Sequence, residues 1–194
     1  MGNNKSSVSS SYVVLIGIGS FSLAVIFSII SEMLVRNLNS IALSFIILLV
    51  IIWIGITFDT LGTAVTAAQE TPFHAMAAKR VLGAQQGVFL IRNADRVANI
   101  ANDVIGDIAG TVSGALGISI VARLIMINPG WDNFMLNILI TSSVASMTVS
   151  GKALGKKIAL RYSNEIIFFV AKYFARVLKI FGVDPFRKNK RSKG

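Results

Sequence analysis

Residues 6–31 and 37–58 form two stretches without a single charged side chain, and they constrain this 194-residue chain more than anything else in it. A helix crosses the hydrocarbon of a bilayer with roughly 20 mostly apolar residues, and both stretches reach that length. Hydrophobic residues make up 54% of the chain, charged ones only 14%, and the mean hydropathy is +0.69, well above a water-soluble domain of this size. The reading is an all-α integral membrane protein. The apolar part of the first stretch is too long for a signal-peptide core of about 7 to 15 residues, so it predicts an uncleaved helix.

Two weaker spans follow, at about 97–125 and 134–155, after stronger ones at about 12–34 and 41–62. Both weaker spans carry polar residues at depth. The segment "NPGWDN" between them has the Pro-Gly punctuation of a turn and a Trp suited to the membrane interface. Residues 71–95 predict short surface helices, with Thr71 as N-cap, Pro72 at the first helical position, and Gly83 and Gly87 as breaks. Residues 163–182 predict an interfacial amphipathic helix. There Ile166, Phe169, Val170, Tyr173, Phe174, Val177 and Leu178 share one face, while Glu165, Lys172, Arg176 and Lys179 lie largely on another. A polar segment 1–10 and a basic tail 183–194 complete the organisation.

The formal net charge is +10, with the cations gathered beside apolar segments and in the tail "RKNKRSKG". That clustering predicts anionic lipid headgroups as the partner and no nucleic acid. Lys79, Arg80, Arg92 and Arg96 share the loop between the second and third spans, against Arg36 and Arg123 on the opposite side. Both termini are therefore expected on the cytoplasmic face of the cell membrane. No cysteine is present, which excludes disulfides, thiolate metal sites and cysteine nucleophiles. His74, the one histidine, reads as an interfacial or packed residue, and Trp53 as packing or interface.

The polar residues within the spans form a pattern. Asn99, Asp103 and Asp107 recur four apart in the third span, beside a stripe of Asn102, Gly106, Gly110 and Gly114. The small stripe fits either a helix-packing seam or a backbone-lined ion path. A central carboxylate costs about 2.5 to 3.5 kcal/mol to insert unless paired or wet, so the aspartates either serve an ion path or sit hydrated near the helix start. The second span ends in "GITFDTLGTAVT" around Asp59. The fourth carries Ser142, Ser143, Ser146, Thr148 and Ser150 before Gly151 and Lys152. Membrane hydroxyls often only back-bond to the preceding turn. Together with Asp59 and Asn102, they suggest three helices converging on a polar centre whose oxygens suit a hard cation. No set of acid, base and nucleophile stands out, so an enzyme is not expected.

In this order the features resemble the membrane domain of the cyclin M (CNNM)/CorC family of magnesium transporters, over roughly residues 45–182. That family's F-S-x-x-E-T-A pattern corresponds to "FDTLGTA", with Asp59 at the serine position and Gly62 at the glutamate position. Its G-N-x-L-V-N pattern corresponds to "ANDVIG", which keeps Asn102. Its G-E-x-x-P-K-x-x-A pattern corresponds to "GKALGKKIA", which keeps Gly151, Lys156 and Ala159 but has Lys152 for the glutamate and Gly155 for the proline.

The resemblance implies Mg2+ as the transported ion, with no bound cofactor. It implies Asp59 and Asn102 as metal-facing residues of a path that also includes Asp103, Asp107, Ser146, Ser150, Gly151 and Lys152. It also implies a homodimer. Family members continue into cytosolic CBS-pair domains, whereas this sequence stops at Gly194, so a separate cytosolic or membrane protein partner is an open expectation. Lys152 then fills a tethered-cation role beside Asp59 or Asp103, or releases its proton on burial and couples proton to ion movement, or snorkels to the interface. A degenerate, non-transporting core acting as a membrane partner or regulator is the competing reading.

Overall fold

The computed structural model describes residues 10–37 and 40–180, and among them every regular element is helical. Four helices are long and apolar enough to cross a membrane. They are α1 (Ser10–Asn37), α2 (Ile41–Ala67), a third span over Ala94–Ile127 and α7 (Asn133–Arg161). The third span is built from α5 (Ala94–Ala98), a π-helical stretch (Asn99–Gly106) and α6 (Asp107–Ile127). Between the second and third spans lie α3 (Glu70–Ala78) and α4 (Ala84–Arg92), and after the fourth comes α8 (Ser163–Ile180). The expected N-terminal segment lies almost wholly outside the described residues, and the basic tail lies outside them entirely.

The chain divides into two compact units, with breaks at Gly55/Ile56, Gly106/Asp107 and Thr148/Val149. In the first unit α1 packs on α6, and the Ser119 hydroxyl donates to the Glu32 carboxylate at 3.3 Å. Val112, Leu116, Ile120 and Val121 of α6 are buried, as are Leu48, Ile51 and Ile52 of α2 and Val144 of α7. Gly117 lets Ile140 and Val144 approach to 3.5 Å of where a Cβ would stand. At Gly110 and Gly114 nothing lies within 4 Å of that position. Of the expected stripe, Gly110 and Gly114 therefore meet no neighbour while Gly106 is buried, and Gly117, which the stripe did not include, takes a close contact. Asp132 caps the start of α7, its Oδ1 accepting from the backbone N–H groups of Phe134 at 2.8 Å and Met135 at 3.2 Å. Trp131 beside it is exposed, as an interfacial Trp is.

The second unit closes around Ala64, Val65, Phe73, Ala98, Ala159 and Ile167. Phe73 sits between α3 and α4 because Gly87 offers no Cβ to collide with its ring, and it meets the Phe168 ring at a tilt of 56° with centroids 6.5 Å apart. Gly87 thus lies inside α4 as a packing position, whereas Gly83 is a true break with φ of 94°. Helix α3 begins two residues earlier than Thr71 and Pro72 suggest, at Glu70. The backbone N–H of its cap residue, Gln69, donates to Asn164 Oδ1 at 2.9 Å, so a tertiary contact holds this start.

Helix α8 also buries a row that the amphipathic reading did not name. The row that packs is Ile167, Ala171 and Ala175, small enough to let α4 approach closely, whereas Phe169 and Tyr173 of the expected apolar face point outward. Helix α8 therefore has three faces: a packed one, an exposed apolar one and a charged one.

Candidate ion site

The polar centre of the second unit is assembled from α2, the π-helical stretch and α7. Asp59 stands on α2 with its side chain 6% exposed, and Lys152 on α7 places Nζ 3.6 Å from Asp59 Oδ1. Lys156, one turn further along α7, places Nζ 3.8 Å from Asp59 Oδ2. One carboxylate is thus held between two ammonium groups of the same helix. Lys152 is the enclosed member, at 19% exposure against 54% for Lys156.

Glycines make these approaches possible. A Cβ at Gly151 would collide with Ile56, and one at Gly155 with the Thr60 hydroxyl, so α7 lies against α2 at the turn that carries Lys152 and Lys156. On the other side of α2, a Cβ at Gly62 would collide with Asn102 Oδ1. Asn102 thus approaches α2 through the gap that Gly62 leaves, one turn along the helix from Asp59. The hydroxyls near this centre bond to their own helix: Thr60 donates to the Ile56 carbonyl at 2.7 Å and Thr63 to the Asp59 carbonyl at 2.9 Å.

The π-helical turn gives the third span its polar display. A wider turn opens the backbone ladder, and such turns recur where a side chain must be re-aimed. Here Asn99 Nδ2 donates to Asp103 Oδ2 at 2.7 Å, leaving Asn99 Oδ1 buried without a hydrogen-bond partner. Asn102 Oδ1 and Asp59 Oδ2 are in the same condition. A buried acceptor ordinarily finds a partner, and all three of these lie in the second unit.

The structure brings together Asp59, Asn102, Gly151 and Lys152 about α2, together with Lys156 and Gly155, which the site expectation did not include. It does not bring in all the others. Asp103 is exposed and held by Asn99, Ser150 is exposed, and Asp107 and Ser146 belong to the first unit, also exposed. The Asn99–Asp103 pair of the expected row keeps its four-residue contact within the π stretch, whereas Asp107 opens α6. Among the described residues no three His, Cys, Asp or Glu side chains gather as a metal-binding group. Asn102 and Asp59 thus offer oxygen ligands of which only one is a carboxylate.

A separate polar cluster holds α3 to α4. Glu70 Oε1 accepts from Arg92 Nε at 2.6 Å and pairs with His74 Nε2 at 2.7 Å. The His74 hydrogen bond, followed by that of Arg92, holds the Glu70 carboxyl below its ordinary value. His74 is thus part of an interfacial latch.

No family model, curated protein or solved structure matches this chain.

Proposed function

We propose that this chain is a membrane protein whose second unit is a cation site of the CNNM/CorC kind kept closed by its own lysines, so that it serves as a non-transporting membrane partner. The observation that carries this reading is the pair of ammonium groups on Asp59, with Lys152 Nζ at 3.6 Å and Lys156 Nζ at 3.8 Å. Electrostatics gives it weight. An ammonium about 4 Å from a divalent ion is repelled by on the order of 8 kcal/mol at an effective dielectric near 20, and a single carboxylate offsets about that much again with the sign reversed. Two ammonium groups against one carboxylate leave Mg2+ excluded. In this reading the termini face the cytoplasm, on the side where Lys79, Arg80, Arg92 and Arg96 concentrate.

A second reading, a working carrier of Mg2+ or another divalent cation, draws on a different observation. The buried oxygens of Asn99, Asn102 and Asp59 that lack donors are the ligand type a hard cation takes. In that case Lys152 leaves Asp59 during each cycle.

Reconstitution separates the two. Mg2+ flux into liposomes is measured for the wild type, Lys152→Glu, and Lys152→Glu with Lys156→Gln, at two pH values. Closure by lysine predicts a silent wild type and flux in the double variant. Wild-type flux that rises with pH assigns the carrier reading.

A further inference from the structure

Helix α8 carries three rows. Ile167, Ala171 and Ala175 pack on the second unit, Phe169, Tyr173 and Ile180 point outward at 64% exposure or more, and Lys172, Arg176 and Lys179 run between those rows on one side. Among the described residues none of these three cations has an ion-pair partner, and Glu165 is the helix's one acidic residue. A second element extends this surface. The position of a Cβ on Gly83 lies 2.7 Å from the backbone of Lys172, so the α3–α4 turn sits directly against α8. That turn presents Val81 and Leu82 as exposed apolar side chains beside exposed Lys79 and Arg80.

We propose that α8 and the α3–α4 turn form one docking surface for an anionic leaflet. Phe169, Tyr173, Val81 and Leu82 enter the acyl boundary, and the cations of both elements take headgroup phosphates. The occupant follows from charge and placement. Exposed apolar side chains next to unpaired cations match a surface that is apolar below and negative above. The surface also belongs to a chain with four helices able to cross that bilayer. A second copy docking face to face would set five cations against the same five, which opposes association.

The chain has no cysteine, so Tyr173→Cys provides one attachment point for a fluorophore in the full-length protein. The labelled protein is reconstituted in bilayers of about one third phosphatidylserine, with either that lipid or phosphatidylcholine carrying brominated chains that quench on contact. The expected result is stronger quenching by the brominated phosphatidylserine, a preference that falls about fivefold for each of Lys172, Arg176 and Lys179 replaced by Gln. In the protein with all its cations, raised salt removes the same preference, a reading independent of any variant's folding. Equal quenching by the two lipids, no quenching by either, or self-quenching that depends on protein density overturns the proposal.

Discussion

The two units of this molecule solve the same problem, the burial of helices in an apolar medium, with different materials. The first unit is held by aliphatic side chains and by Gly117. Its buried polar side chains are hydroxyls, two of which turn back on their own helix: Ser113 donates to the Gly110 carbonyl at 2.8 Å and Ser44 to the Ser40 carbonyl at 3.4 Å. The second unit buries a carboxylate against lysines, leaves three oxygens without donors and needs glycines at the contact points. Burying an ionised group costs far more than burying a hydroxyl, and the one buried carboxylate among the described residues lies in the second unit.

Measurements on both units sharpen or break that contrast. The largest effect belongs to Phe73→Ala, which empties the centre of the second unit's core and is expected to cost about 4 kcal/mol, read by thermal unfolding in detergent. Asp59→Asn leaves two lysines beside a neutral amide, and because Lys152 is enclosed, a loss of about 3 kcal/mol is expected. Ser113→Ala in the first unit, though fully buried, should cost less than about 1 kcal/mol, because only a bond to its own helix is lost. Equal losses for Asp59→Asn and Ser113→Ala would break the contrast.

Glycines give the next test. Gly83→Ala meets both a left-handed backbone and the Lys172 main chain, so a loss of about 2 kcal/mol is expected. Gly110→Ala, with open space around it, should leave the melting temperature unchanged or raise it.

The smallest effect is acid sensitivity at the α3–α4 latch. The Glu70 carboxyl is held below its ordinary value of 4.5, so its contribution is fully present above that pH and is lost as pH falls through it toward the lower folded value. Hydrogen exchange at α3 and α4 should accelerate in that window, and Glu70→Gln should remove the dependence.

The four spans were legible because hydropathy over twenty residues leaves a bilayer helix few alternatives, and the span ends shifted only by a few residues. The charged pairing of α7 with α2 was approached from the Gly-Lys pattern at Gly151 and Lys152, yet Lys156 entered only as a retained position of the family pattern. One turn of separation puts it on the same carboxylate, a consequence of i, i+4 spacing that was available in the sequence. The π-helical stretch over Asn99–Gly106 was not legible, because its residues read equally well as an α-helix and what changes is the ladder rather than the composition. The role of Gly62 was also hidden. A glycine in a span signals close approach, but only the fold reveals that Asn102 is what approaches. On α8 the large apolar face was read from its spacing, whereas the packed row of Ile167, Ala171 and Ala175 was not, because alanines carry little hydrophobic signal.

The second unit is discontinuous in the chain, and that bears on how the protein is made. Ser163 reaches the Ala67 carbonyl across 96 residues of chain, and the core that Phe73 centres cannot close until Ile167 has been synthesised. A ribosome adds about 5 to 20 residues per second, so Asp59 spends several seconds inserted before Lys152 exists to neutralise it. During synthesis the Asp59 carboxylate therefore precedes both of the lysines that neutralise it in the finished fold.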